Sequence, residues 1–337
     1  MLISTMATEI LMRYVSLPRT SLTVSAVCLG VGSHGVISTE PEAFSVFDRF
    51  LELGGNFFET ARVYSDWVPG ERGRSERILG DWIAARKNRD RLVLATKGGH
   101  RLIGIPDASP QPRLSAVELR TDLMASAAAL RTETIDLYYL HRDDDTIPVG
   151  EIVDTLEQFV AEGRIRAYGC SNWSPERIEL AMQYAAAHHR TGFVANQMEW
   201  HLAVRHAGPM PDPTMRSHTD EAARVMLKHQ ITAIPETTQA DGFFSMLMAG
   251  GAAREAALNT RFSTPHNMAL FDDLTAIAAK HDVPLEALVL GFFALYPGTV
   301  IPQVDPHTLD HLNATLRAIT TPLSAACLRD LSQAVAR

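Results

Sequence analysis

Cysteine is scarce in this chain of 337 residues, which carries only Cys28, Cys170 and Cys327, widely separated. An odd number without a CxxC spacing offers no disulfide framework, and we expect a reducing, cytoplasmic location. Long hydrophobic runs are also missing, since none reaches the roughly 18 residues that a membrane span needs. Together, these absences predict neither disulfide bonds nor a membrane partner.

Positive charge is in deficit as well. The sequence has 31 lysines and arginines against 39 aspartates and glutamates, a formal net charge of -8. That balance gives no electrostatic basis for binding nucleic acid. No linker rich in Pro, Gly or Ser divides the chain, so we predict a single domain over residues 1–337. Residues 1–11 lack the basic start and apolar block of a signal peptide, and we expect a loose extension there.

Short apolar runs alternate with longer amphipathic segments along nearly the whole sequence. Eight of these runs have the composition of strands: 27–30, 56–60, 92–97, 135–141, 166–172, 193–198, 231–236 and 298–303. Continuous apolar runs of this kind are typical of parallel strands that are covered on both faces. Eight strand-then-helix units predict an α/β fold, a closed (β/α)8 TIM barrel. Residues 13–25 predict an N-terminal β-hairpin at the bottom of that barrel.

Polar side chains end these apolar strands, at the edge where (β/α)8 barrels place their chemistry. The second strand ends at Glu59, with Tyr64 one turn later, while Lys97 and His141 end the next two strands. A carboxylate, a phenol, an ammonium and an imidazole form a proton-transfer set, in which the Lys charge can lower the phenol pKa. The later strands contribute further polar residues: Ser171, Asn172, Asn196, Gln197, Glu236 and Thr237.

At these residues the sequence resembles the aldo-keto reductase family. The similarity extends over roughly residues 12–320 and rests on the ordered motifs NFFETARVY, LATKGG, IDLYYLHRDD, GRIRAYGCSNWSPERI and NQMEW. The resemblance implies a (β/α)8 fold that reduces the carbonyl of a small-molecule ketone or aldehyde. It also implies NADPH or NADH as cofactor, bound without a Rossmann domain.

The resemblance carries roles to individual residues. It implies Tyr64 as the general acid, Lys97 as the partner that lowers its pKa, and His141 as the group that orients the carbonyl. Three polar residues would hold the nicotinamide carboxamide: Ser171, Asn172 and Gln197.

The sequence departs from the family pattern at several of these positions. Glu59 stands where the family has Asp, and Glu236 stands where the family usually stacks an aromatic ring on the nicotinamide. The last strand has Gln303 in place of a usual Gly, and Asp305 near the expected position of the adenosine 2′-phosphate, which a carboxylate would repel. NADPH and NADH therefore both stay open. The predicted contacts to the cofactor in and after the last two strands are Glu236, Thr237, Gln303, Asp305, His307 and Asn313.

Two other motifs suggest different chemistry. A G-x-G-x-x-G pattern at Gly30, Gly32 and Gly35 matches a Rossmann fingerprint, but no helix opens at its third glycine. The run HRDDD at 141–145 resembles a metal cluster, but it lacks paired His or Cys at ligand spacing. We therefore predict neither a Rossmann domain nor a metal site.

The substrate pocket is less defined by the sequence. Three tryptophans near site residues are predicted as apolar walls: Trp67, Trp173 and Trp200. The long loops at the mouth suit a medium-sized polar substrate such as a sugar or an oxygenated natural product. Two alternatives to a carbonyl reductase remain, a barrel repurposed for elimination, isomerisation or hydrolysis, and a non-catalytic subunit that senses the cofactor.

Overall fold

Eight parallel strands form the centre of the molecule in a computed structural model, which describes residues 10–105, 111–208 and 212–337. Two short strands precede them, β1 (Tyr14–Ser16) and β2 (Thr23–Ser25). The eight are β3 (Cys28–Gly30), β4 (Phe57–Glu59), β5 (Val93–Gly98), β6 (Ile135–Leu140), β7 (Ile165–Ser171), β8 (Ala195–Glu199), β9 (Thr232–Glu236) and β10 (Gln303–Val304). Their order in the sheet is β10-β3-β4-β5-β6-β7-β8-β9, which confirms the predicted (β/α)8 architecture.

The barrel closes between its last two strands. The backbone N–H of Ala233 in β9 donates to the Thr299 carbonyl at 2.9 Å, and the Ile301 N–H donates back to the Ala233 carbonyl at 2.9 Å. The last strand is therefore shorter and later than the predicted 298–303. The residues just before β10 bridge to β9, and β10 itself pairs with β3.

The predicted hairpin is present and its strands pair in antiparallel fashion. Leu17, Leu22 and Val24 are buried and pack with Phe57 and Val93, which begin two barrel strands. Because parallel strands all begin at the same end of a barrel, the hairpin lies at the bottom and leaves the opposite end for the site.

Helices cover the outside of the barrel. They are α1 (Glu40–Glu52), α2 (Arg74–Arg86), α3 (Ala116–Ala129), α4 (Val149–Ala161), α5 (Pro175–Ala187), α6 (Asp220–His229), α7 (Phe243–Ala249), α8 (Gly251–Leu258), α9 (Pro265–His281), α10 (Leu285–Gly291), α11 (Leu309–Thr320) and α12 (Ala325–Val335). Local signals set their starts: Ser115 caps α3 in a capping box with Glu118, and Ser174 caps α5 with Pro175 at the first helical position. Among the described residues, no helix combines the length and apolarity of a membrane span.

Residues 240–268, between β9 and the body of α9, contain α7 and α8. These short helices pack with α9, α10 and α12 around a second apolar cluster, in which Phe243, Phe262 and Leu274 are fully buried. The glycine pair Gly250 and Gly251 separates α7 from α8, since both residues adopt positive φ. Helix α12 also contributes to this cluster, although it lies beyond residue 320, where the predicted resemblance ends.

Candidate active site

The proton-transfer residues lie at the mouth because of the two-residue period of the strands. Phe57, Ala95 and Tyr139 point into the barrel core, and the residues two positions later on each strand face the same side. Those residues are Glu59, Lys97 and His141. Each is buried in the structure, Glu59 and Lys97 completely.

Lys97 is the centre of the group. Its ammonium forms an ion pair with the Glu59 carboxylate and donates a hydrogen bond of 2.6 Å to the Tyr64 hydroxyl. The ring of His141 lies edge-on to that of Tyr64, with 5.6 Å between the ring centroids. The extra methylene of Glu59 therefore does not prevent a carboxylate–ammonium contact. The structure brings together all four residues predicted as the proton-transfer set.

The Tyr64 ring packs directly against the backbone of Gly32. The half-buried tyrosine lies in the turn after β4, and a Cβ at Gly32 would come within 2.9 Å of the Tyr64 ring. Gly32 thus admits the ring to the mouth, which gives the G-x-G-x-x-G pattern a packing role in a barrel. The Rossmann alternative is excluded by the closed sheet.

Burial is the main influence on the pKa values of Tyr64, Lys97 and His141. It raises the pKa of the Tyr64 phenol, and the nearby Glu236 carboxylate raises it further. Burial also lowers the pKa of the Lys97 ammonium, and it lowers the pKa of His141, assisted by the charge of Arg142. In this state burial outweighs the nearby charge of Arg142, so the Tyr64 pKa is raised, and the lowering of that pKa by Lys97 stays a prediction. Near neutral pH the arrangement holds a protonated phenol beside a neutral imidazole.

The residues predicted to hold the carboxamide lie at the ends of β7 and β8. Ser171 and Gln197 are direct neighbours across the two strands, and Asn172 donates to the Ser171 hydroxyl at 2.9 Å. The Gln197 amide NH2 donates to Gln303 Oε1 at 2.5 Å, whereas its own Oε1 is buried and accepts no hydrogen bond from the described part of the chain. The site therefore offers an unused buried acceptor together with a hydroxyl, the polar groups that a primary carboxamide requires.

A cavity of about 540 Å³ opens beside this group along the ends of β9 and β10. Five residues predicted as cofactor contacts line it: Glu236, Thr237, Gln303, Asp305 and His307. Asn313 is not among the residues that line it, because its amide oxygen accepts a hydrogen bond from Arg49 on α1 at 3.4 Å. His311 lines the cavity instead. The signal that could have identified it is its place in the first turn of α11, three residues after the N-cap Thr308 and just beyond the last strand.

The three predicted tryptophans lie in different surroundings. Trp67 is 51% exposed and its ring centroid lies 6.5 Å from that of Tyr64, at the mouth. Trp173 is buried, and its Nε1 donates to the Arg142 carbonyl at 3.1 Å. Trp200 stacks on His218 at 3.8 Å. Trp67 therefore presents an exposed face beside Tyr64, the burial of Trp173 does not fit a pocket wall, and the role of the half-buried Trp200 stays a prediction.

A polar network around Glu199 was not identified from the sequence. This buried carboxylate ends β8 and accepts hydrogen bonds from Ser217 Oγ at 2.9 Å and from His201 Nε2 at 3.4 Å. Arg205 and Arg261 approach it at 3.7 and 3.5 Å. Burial alone would raise the Glu199 pKa, but the hydrogen bonds from His201 and Ser217 outweigh it and hold the pKa at about 2. Glu199 thereby fastens segments that follow β8 and β9 over the mouth.

The sequence model of the Aldo/keto reductase family matches residues 26–336. The chain belongs to this family, and it is an aldo-keto reductase-like oxidoreductase, as the barrel and the mouth residues suggest. Members of the family reduce carbonyl groups with NAD(P)H.

Several relatives share the full length of the barrel or a large part of it. An uncharacterized oxidoreductase of Bacillus subtilis, YrpG, is 29% identical over 331 residues, or 95% of each chain. Norsolorinic acid reductase B of Aspergillus parasiticus is 29% identical over 326 residues, 94% of this chain and 82% of the relative. An aryl-alcohol dehydrogenase (NADP+) of Phanerodontia chrysosporium is 32% identical over 202 residues, 56% of this chain and 51% of the relative.

The Glu199 network predicts a defined pH dependence of stability. Glu199→Gln should lower the free energy of unfolding at pH 7 by roughly 2–3 kcal/mol, because the ionised carboxylate is stabilised only in the folded state. The carboxyl has a pKa of about 2 when folded against an ordinary 4.5. Its contribution is therefore complete above the unfolded pKa and is lost as the pH falls from 4.5 towards 2.

Urea unfolding at a series of pH values measures this effect, with Glu133→Gln as the control at an exposed carboxylate. The stability gap between wild type and Glu199→Gln should stay constant near neutrality and narrow on acidification. A gap that is absent at pH 7, or that widens as the pH falls, contradicts the assignment.

Proposed function

We propose that the protein reduces a ketone or aldehyde to an alcohol with NADPH or NADH, and that Tyr64 is the general acid. The observation that carries this proposal is the 2.6 Å hydrogen bond from Lys97 to the Tyr64 hydroxyl, with Glu59 paired to the same ammonium. A proton donor, its cationic support and a neighbouring imidazole thus meet at the mouth of the barrel.

Each residue has a part in the proton transfer. Tyr64, kept protonated by its raised pKa, donates its proton to the carbonyl oxygen as that oxygen gains negative charge. Lys97 stabilises the phenolate that results, and Glu59 holds the ammonium in place. His141, beside the Tyr64 ring, orients the carbonyl oxygen. The reduced nicotinamide, when bound, supplies the hydride.

The residues around the cavity fit a nicotinamide dinucleotide. The free buried oxygen of Gln197 and the hydroxyl of Ser171 suit a carboxamide at the inner end. The cavity then runs along β9 and β10 to Asp305, whose carboxylate accepts from Ser33 Oγ at 2.6 Å. Asp305 supports a preference for NADH, since a carboxylate accepts hydrogen bonds from ribose hydroxyls and repels a 2′-phosphate.

An aryl ketone or aryl aldehyde is the substrate class that we propose. Trp67 supports it, because an exposed indole beside Tyr64 offers a flat apolar face to an aromatic ring. The name of the related aryl-alcohol dehydrogenase points in the same direction. The cytoplasmic location stays a prediction from the cysteine content, and all three cysteines are free and buried.

The role of Tyr64 is tested by Tyr64→Phe. The variant should lose roughly 10²–10⁴-fold in kcat, because only the transferred proton is removed. Dinucleotide affinity, measured by nicotinamide fluorescence, should change little. Tyr14→Phe, which removes an exposed hydroxyl on the hairpin, is the matched control and should keep its activity. An unchanged kcat in Tyr64→Phe would exclude the proposed general acid.

Glu59→Asp separates a reductase from a repurposed barrel. If carbonyl reduction is the native reaction, the shorter carboxylate should retain or improve it, since the contact to Lys97 needs only a small adjustment. If the longer side chain instead serves other acid–base chemistry, wild type should reduce no simple aldehyde and the variant should gain that activity. Reduction of a panel of aryl aldehydes distinguishes the two, with Glu133→Asp as the surface control. Loss of activity with an intact fold contradicts both interpretations.

Asp305→Ser tests the cofactor preference. Removal of the carboxylate should shift the ratio of the two dissociation constants toward NADPH, as judged by fluorescence titration of each dinucleotide. Asp310→Ser, on the exposed start of α11, is the control and should leave the ratio unchanged. If wild type binds NADPH about a hundredfold tighter than NADH, the placement of Asp305 at the ribose is wrong.

A further inference from the structure

A second cluster of titratable side chains lies where the loop after β3 meets the segment after β10. His34 Nε2 is 3.6 Å from Asp305 Oδ1, and His307 Nδ1 is 3.9 Å from the same oxygen. One ligand atom from each of the three residues lies within 4.8 Å of the others. This cluster is separate from the proton-transfer set. Two of its members, Asp305 and His307, also line the cavity proposed for the dinucleotide, so the inference concerns the protein without dinucleotide, and an ion and the ribose would compete for Asp305.

Two atoms of the cluster are buried without a hydrogen bond. His34 is fully buried, and neither its Nε2 nor Asp305 Oδ1 has a hydrogen-bonding partner among the residues that the structure describes. The Pro306 carbonyl is close enough to the His34 imidazole to oppose the lowering of its pKa by burial, but the contact lacks the geometry of a well-formed hydrogen bond to Nε2. Buried polar atoms are nearly always paired in folded proteins, so two unpaired atoms facing each other require a partner.

The opposite atoms of the same side chains are held in place. Ser38 Oγ lies 3.2 Å from His34 Nδ1, and the Ser33 hydroxyl donates to Asp305 Oδ2 at 2.6 Å. In the tautomer in which Nδ1 carries the proton and donates to Ser38, the lone pair of Nε2 faces Asp305. Such contacts to the far side of an imidazole and a carboxylate are the usual supports of metal ligands.

We propose that His34, Asp305 and His307 bind one divalent transition-metal ion of the zinc class. Two imidazoles and one carboxylate are a donor set that zinc prefers, with a fourth position left for water. Magnesium and calcium fit poorly, because they require more oxygen ligands than one aspartate supplies. Asp305 and His307 also line the cavity, so the fourth position opens toward it.

The geometry requires a modest adjustment. Bonds of about 2.0–2.1 Å in a tetrahedral site place neighbouring ligand atoms about 3.3 Å apart. The two distances to Asp305, 3.6 and 3.9 Å, are slightly longer than that, and the ligand atoms of the two imidazoles lie within 4.8 Å of each other. His34 is fixed by its burial and Asp305 by the hydrogen bond from Ser33, whereas the His307 side chain is 31% exposed and can rotate inward. The ion would thus draw His307 onto two ligands that are already positioned.

A Co²⁺ titration of the protein without dinucleotide tests the site. The protein is purified without a polyhistidine tag and treated with a chelator, and the visible absorption of Co²⁺ reports ligand binding. We expect saturation at one Co²⁺ per chain and displacement by Zn²⁺. His307→Ala and Asp305→Asn should each weaken Co²⁺ binding by at least about 10–100-fold. Loss of a residue that only hydrogen-bonds a metal ligand already has an effect of that size, and loss of a ligand should have a larger one.

His311→Ala is the matched control, because His311 lines the same cavity outside the cluster. Its affinity for Co²⁺ should equal that of wild type. His34→Gln extends the test, but the two partly exposed ligands keep it decisive if that buried variant fails to fold. No saturable binding up to about 1 mM Co²⁺ overturns the proposal. Equal loss in His311→Ala, or wild-type affinity in both ligand variants, overturns it as well.

Discussion

The buried ion pair between Glu59 and Lys97 is the interaction on which the site depends. Both side chains are fully inside the barrel, where an unpaired ammonium would be strongly destabilising. Breaking such a pair by removing one partner typically costs about 3–5 kcal/mol. Since Lys97 also donates to Tyr64, the carboxylate on one strand positions the phenol of the following turn. Stability and proton transfer thus rely on the same contact.

A rigid floor and fastened loops surround that pair. The hairpin fills the bottom of the barrel, so the mouth is left for chemistry. Glu199 ties the chain after β8 to Arg261, which also contacts Asp241 at the rim of the cavity. The carboxylate that stabilises the loops is therefore also linked to the rim of the cavity. This arrangement is typical of barrels, in which stable strands carry a site whose specificity lies in the loops.

Most of the fold and the inner part of the site could be predicted from the sequence, because strands end in polar residues of one parity. Glu59, Lys97 and His141 lie where that pattern places them. The outer contacts were less predictable. Asn313 bonds Arg49, whereas His311 lines the cavity. Residues two positions apart on a helix face nearly opposite sides, because each residue is rotated by about 100° from the one before it. Trp173 is a core residue, which its position after Asn172 did not reveal.

Hydrophobic period and residue type by themselves determined the eight strands and the side chains that face the barrel axis, because the two-residue period of a strand is local. Only the closed barrel decided which distant residues meet. Gln197 bonds Gln303, and His34 faces Asp305 across more than 270 positions of chain, the separation between β3 and β10. Tertiary burial likewise decided the direction of the Tyr64 pKa, because desolvation depends on the complete packing around a group.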